Sequence, residues 1–154
     1  MINHKISCDK KIAVLLPVYY KDSPDYFYES FNSITYIQSL KPDEVFVFCD
    51  GPIDEKINVF LSEQVKISNS WKLRIVRYKN NRGLGVVLKN ALQTIDCDYI
   101  VRMDADDIAH KDRVLLLKRK LDEGYDIVGS NMREFNDFGT FTSKEVPEKN
   151  DTIR

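Results

Sequence analysis

The sequence predicts an α/β fold, a mostly parallel sheet with helices on both faces. Three observations carry that prediction. Short apolar runs alternate with longer segments of helical period, the signature of strand–helix–strand units. The apolar runs are rich in Val, Ile and Phe, as buried strands are. The unusual residue clusters all fall just after these runs, where an open parallel sheet presents its ligand-binding loops.

Residues 12–17 (IAVLLP) read as the first buried strand. A helix follows, with Ser23 as N-cap, Pro24 at the first helical position, and Phe27, Phe31 and Ile34 on one face. Residues 44–49 (EVFVFC) are the second strand, and Ile57, Phe60, Leu61 and Val65 mark the next amphipathic helix. Residues 73–78 (LRIVRY) alternate apolar and basic, which puts the third strand near an edge. Leu84, Leu88, Ala91 and Ile95 give the third helix, and residues 99–103 (YIVRM) the fourth strand. Residues 113–124 read as a helix closed by Gly124 as a C-cap glycine, and residues 126–130 (DIVGS) as a fifth strand. From Arg133 the chain changes character, to a hairpin or irregular segment and then a charged tail.

A chain of 154 residues fits one domain with a sizeable core. The formal net charge of −1 gives no basic excess, so nucleic acid is not an expected partner and any anionic ligand must be recognised locally. Cys8, Cys49 and Cys97 are odd in number and form no C-x-x-C pair. A disulfide framework or zinc site is not expected, and a cytoplasmic location is. Cys49 reads as a small core residue, and His4 and His110 as solvated loop residues. The basic and apolar N-terminus does not read as a signal peptide, because its apolar run is short, contains Pro17 and meets no small-residue cleavage site. No apolar run is long enough to span a membrane.

The clusters after the strands carry the chemistry. DADD places Asp104 and Asp106 two residues apart, so in an extended segment both point the same way. Two carboxylates facing one point suit a hard divalent cation, magnesium or manganese, which would offset their repulsion and hold a diphosphate. Asp107 or Asp112 reads instead as the cap of the helix at Arg113. An EF-hand is excluded, since its sixth position would be Ala109 and its twelfth Leu115. NNRGLG opens a helix whose first amides favour anions, and Arg82 adds positive charge. It is not a dinucleotide fingerprint, which would follow the first strand. Asp50 in CDGP ends a buried strand and suits hydrogen bonds to a base or ribose; Tyr19 or Tyr20 could pack on a base.

Taken in order, LLPVYY, VFCDGP, NNRGLGVVLKNAL and YIVRMDADD resemble the nucleotide-binding half of a family 2 glycosyltransferase, over roughly residues 11–130. The closest likeness is to bacterial enzymes that build surface polysaccharides. The resemblance implies the Rossmann-like GT-A fold, with its D-x-D signature, and a nucleotide-sugar donor, UDP first of all. It implies that Pro17, Val18, Tyr19 and Asp50 hold the base, that Arg82 and Gly83 border the nucleotide, and that Asp104 and Asp106 contact ribose and metal, Asp106 as the direct metal ligand. It further implies an inverting transfer to a glycan or lipid-linked acceptor, with possible peripheral association at the inner membrane face.

The family's catalytic base lies well after D-x-D, in an acceptor-binding half that is expected to be incomplete within residues 1–154. Glu134, Asp137 and Glu145 are the late carboxylates, and none sits in a recognisable motif. A nucleotide-binding module without catalysis is therefore the alternative reading. A metal-dependent phosphatase ranks below both, since its aspartate pair would follow the first strand rather than the fourth.

Overall fold

The computed structural model describes residues 10–67 and 69–136, and the backbone of 141–146. Strands β1 (Ile12–Val18), β2 (Glu44–Cys49), β3 (Lys72–Arg77) and β4 (Tyr99–Arg102) form one sheet in the order β3-β2-β1-β4, with every pairing parallel. Helices α1 (Pro24–Ile34), α2 (Glu55–Gln64) and α3 (Leu84–Thr94) connect successive strands, and α4 (Arg113–Asp122) follows β4. A separate antiparallel pair, β5 (Met132–Phe135) and β6 (Phe141–Val146), supplies the predicted hairpin.

Strand alternation divides the core between the two sheet faces. Val14, Leu16 and Val18 of β1 pack with Val45 and Val47 under α1, α2 and α4, through Phe27, Phe31, Ile34, Ile57, Leu61, Val114 and Leu117. Ala13, Leu15, Phe46 and Phe48 pack on the other face against Val87 and Ala91 of α3. Helices thus cover both faces, as predicted, and Cys49 is a fully buried core residue. β3 lies at a sheet edge, as its alternating pattern implied.

Three elements depart from the sequence reading. Val65 is 59% exposed, because α2 ends at Gln64 and leaves it at the C-cap. Leu84 is 46% exposed; it opens α3 and turns to the cleft described below, so Val87 joins Ala91 on the buried face. Residues 126–130 form no strand, and Ile127 stands 62% exposed. Within this run only Val128 packs against the core, and Gly129 beside it adds no packing surface, so the segment lacks the alternating buried face of a strand. The glycine at the end of α4 is as expected: Gly124 has φ +98° and directly follows the C-cap Glu123.

The strand order positions the site. From β1 the chain steps outward to β2 and β3, then returns through α3 to place β4 on the opposite side of β1. This reversal leaves a crevice at the carboxyl ends of β1 and β4, the topological switch point at which such sheets bind ligands. Among the described residues no helix is long and apolar enough to cross a membrane.

Candidate functional site

A cleft of about 390 Å³ opens at this switch point. Its walls come from Pro17, Val18, Tyr19 and Asp22 at the end of β1, Asp50 after β2, Asn81, Gly83, Leu84 and Val87 around the start of α3, and Arg102, Asp104, Ala105 and Asp106 after β4. The four sequence clusters, separated by up to 89 positions, therefore meet in one place. Tyr19 is 38% exposed at the cleft wall, and its ring meets that of Tyr20 edge-on at 5.5 Å.

Asp50 builds one wall. Its buried carboxylate accepts the amide N–H of Arg82 at 2.7 Å through Oδ1 and that of Gly83 at 2.9 Å through Oδ2. Asn81 Nδ2 donates to the Asp50 carbonyl at 3.3 Å. Gly51 is required by the same contact, since it has φ +85° and an added Cβ would lie 2.7 Å from Asn81 N. Two amides of NNRGLG, those of Arg82 and Gly83 just before the first turn of α3, are thus engaged by an internal carboxylate. Arg82 is the one predicted site residue outside the cleft wall: its guanidinium stands 4.8 Å above the Tyr78 ring.

The acidic turn builds the opposite wall. Met103 is buried, so Asp104 emerges on the other side of the chain, and the turn at residues 105–106, with the Asp107 N–H on the Asp104 carbonyl at 3.4 Å, brings Asp106 to the same cleft wall. Two arginines neutralise the cluster. Arg102 grips the Asp104 carboxylate, and Arg113 donates through Nη2 to the Arg102 carbonyl at 3.3 Å. Burial pushes the Asp107 carboxyl up, as do Asp104 and Asp106, while Arg113 opposes this. Burial lowers the Arg113 guanidinium, against the pull of Asp107 and Asp104. Asp106 is exposed and has no hydrogen-bond partner among the described residues. No three His, Cys, Asp or Glu side chains among those residues form a set that could hold a metal unaided. Two carboxylates with hard oxygen donors still fit a divalent cation whose other ligands come from a diphosphate and water.

The glycosyl transferase family 2 model matches residues 13–152. This chain belongs to glycosyl transferase family 2. It is 29% identical over 152 residues to the UDP-Gal:alpha-D-GlcNAc-diphosphoundecaprenol beta-1,3-galactosyltransferase of Escherichia coli, covering 94% of this chain and 52% of that enzyme. The chain therefore spans about half the length of that relative. It is also 28% identical over 143 residues to the amylovoran biosynthesis glycosyltransferase AmsE of Erwinia amylovora, covering 92% of this chain and 52% of that one. Residues 1–349 of Staphylococcus aureus TarS, solved with UDP, superpose with a TM-score of 0.60 at 26% identity, covering 73% of this chain and 32% of that one. The mannosyltransferase PcManGT of Pyrobaculum calidifontis, solved with GDP-Man and Mn2+, gives a TM-score of 0.61 at 22% identity, covering 80% and 35%. The latter likeness bears on the fold alone, which is the GT-A arrangement.

The family 2 cleft contains one carboxylate that sequence reasoning passed over. Asp22 Oδ2 accepts the Tyr19 N–H at 2.8 Å and so fixes the turn that carries the tyrosine. Burial pushes its carboxyl up, the Tyr19 amide holds it down, and Asp106 and Asp104 push it up further. The only sequence signal was an aspartate three residues beyond a strand-end tyrosine, which is a common turn spacing. A carboxyl whose folded pKa exceeds its unfolded value weakens the fold when charged, and that penalty vanishes once pH falls below the unfolded value. Asp22→Asn keeps the acceptor for Tyr19 and removes the charge. It is expected to stabilise the unliganded protein at neutral pH by less than about 1 kcal/mol, because the group is half solvated. Melting curves of the two proteins should converge as pH drops below about 4.

Three further residues of this family 2 chain act at a distance in sequence. Ser30 Oγ donates to the Asp104 carbonyl at 2.7 Å, and Ser33 Oγ accepts the Ala109 N–H at 2.9 Å. Gln38 is buried and donates to the carbonyls of Ser33 at 2.6 Å and His110 at 2.9 Å, while its Oε1 accepts the Val114 N–H at 3.0 Å. It therefore caps α4 from another element. Asp112 occupies the N-cap position without a side-chain cap bond, and Asp107 lies outside it, so neither caps the helix as the sequence suggested. Gln38→Leu leaves the Ser33 carbonyl and the Val114 N–H without their partner, while the His110 carbonyl keeps the Arg113 N–H at 2.9 Å, and an unsatisfied group is worth about 1–3 kcal/mol. With partial relaxation the expected loss is about 2–4 kcal/mol, a fall in melting temperature of roughly 5–12 °C.

Of the late carboxylates, Glu134 is exposed on β5 and is not a cleft residue. Glu145 lies on β6 opposite Arg133, with only its backbone described, and Asp137 lies outside the described residues, as do His4 and Cys8.

Proposed function

We propose that the cleft binds a nucleotide-sugar donor, a UDP-sugar in the first instance, with a divalent cation at Asp106. On this reading the protein transfers a hexosyl unit to a glycan or lipid-linked acceptor in bacterial surface-polysaccharide synthesis. The observation that carries it is the convergence of the Tyr19, Asp50 and Asp104–Asp106 loops at the switch point of a family 2 fold. The diphosphoundecaprenol-linked acceptor in the E. coli relative's name and the UDP in the TarS structure support the acceptor and donor classes.

The residues divide the donor between them. The exposed face of Tyr19 offers stacking area to a base. Asp50 shapes the wall beside it by fixing Arg82 and Gly83, and keeps unused lone pairs for a base or ribose donor. Asp104 accepts from a ribose hydroxyl. The cation, when bound, neutralises the diphosphate as it departs. In the proposed inverting reaction an acceptor oxygen attacks the anomeric carbon, the bond from that carbon to the diphosphate oxygen breaks, and a carboxylate base takes the acceptor's proton.

The test is donor consumption. The protein is incubated with UDP-, GDP- and dTDP-hexoses and Mn2+, with and without lipid-linked acceptors, and nucleoside diphosphate is quantified. Preferential release of UDP supports the proposal. A preference for another nucleotide moves the donor assignment, and consumption of none favours the non-catalytic binding module.

A further inference from the structure

Arg102 stands where it can decide what each aspartate of the acidic turn does. It is the last residue of β4, and alternation puts Arg102 and Asp104 on one side of the chain with buried Met103 on the other, while the turn at residues 105–106 carries Asp106 to the same cleft wall. Its guanidinium reaches Asp104 three times: Nε to Oδ1 at 3.0 Å, Nη2 to Oδ1 at 2.7 Å and Nη2 to Oδ2 at 2.9 Å. Asp106 receives no such contact among the described residues. The pair is not there to hold the fold, since its side chains are 48% and 42% exposed and an open ion pair adds little to folding. It lies in the wall of the cleft instead.

We infer that Arg102 is a positioning residue that holds Asp104 away from the cation and leaves Asp106 as its direct ligand. This rests on the donor-site reading above. The argument is electrostatic. Paired with a guanidinium, Asp104 presents a nearly neutral acceptor whose plane is fixed by the planar fork. Such a group suits a neutral hydroxyl donor better than a dication. Asp106 keeps its full charge. Without Arg102 both carboxylates would be drawn to the metal, and the one meant for the nucleotide would be lost to it. The arginine carbonyl is itself tied by Arg113, so the backbone at this point is held on its other side.

The inference predicts changes of opposite sign. Wild type, Arg102→Leu and Arg102→Lys are titrated with Mn2+ alone, followed by the electron spin resonance of the free ion, and with UDP at saturating Mn2+ by calorimetry. Arg102→Leu should bind Mn2+ alone about three- to tenfold more tightly, since a nearby positive charge is gone and a carboxylate is released. The same variant should bind UDP about tenfold more weakly. Arg102→Lys restores the charge without the fork, so its Mn2+ affinity should match wild type while its UDP affinity stays reduced. A merely structural role would lower both affinities together. Parallel losses, or no change in either titration, overturn the inference. If Arg102→Leu does not fold, unchanged UDP affinity in Arg102→Lys has the same consequence. If wild type binds neither Mn2+ nor UDP, the donor-site reading falls and this inference falls with it.

Discussion

Asp106→Asn should remove most of the stabilisation that UDP confers in the presence of manganese or magnesium, and leave the unliganded protein as stable as wild type. The second half follows from the structure: Asp106 is exposed and has no hydrogen-bond partner among the described residues, so folding loses nothing with its charge. The first half follows from linkage. A ligand at about 100 times its Kd stabilises by about 2.7 kcal/mol. For a domain of this size that is a rise of roughly 5–11 °C in melting temperature. The amide is a weak ligand for a hard dication, so most of that rise should disappear. Thermal melts of both proteins with UDP, with and without metal, make the comparison. A variant that keeps the full metal-dependent rise would remove Asp106 from the site.

Asp50→Ala should be the most damaging change in the cleft, affecting both the fold and the nucleotide. Two charge-assisted hydrogen bonds go with the carboxylate, and the amides of Arg82 and Gly83 lose their partner. Hydrogen bonds to charged groups contribute about 1.5–3 kcal/mol each, so a loss of roughly 3–5 kcal/mol is expected. Asp50→Asn retains one acceptor oxygen and should fall between the two. Calorimetry on the folded fraction should show uridine itself bound more weakly, because the wall that shapes its pocket is gone. A loss confined to the diphosphate would assign Asp50 to another part of the donor, and an unchanged melting temperature would mean that the loop is held by something else.

The contrast between Asp50 and Asp22 shows what could be read from the sequence. Strands, helices and the meeting of four loops were legible because periodicity fixes element type, and a parallel sheet brings strand ends together whatever the loops contain. Asp50, Asp104 and Asp106 stood out as charges at the ends of buried strands. Asp22 did not, because a turn aspartate is ordinary until its neighbours across the cleft are known. Ser30, Ser33 and Gln38 were hidden for a related reason. A small polar residue among Phe27, Phe31 and Ile34 looks like surface, and nothing local says that a loop more than 70 positions away supplies its partners. The anion-binding reading of NNRGLG did not foresee that Asp50 would take the amides of Arg82 and Gly83 just before the helix. Leu84 was assigned to the core by periodicity, which cannot tell the first residue of a helix facing a cleft from one facing a sheet.

The most direct test of the donor-site account is calorimetric titration of UDP into the wild-type protein in three buffers, containing Mn2+, Mg2+ or EDTA. The account predicts saturable binding at one site with either metal, and binding weakened at least tenfold by the chelator. Equal affinity with and without the chelator would contradict the role given to Asp106, and no UDP binding in any buffer would contradict the account as a whole.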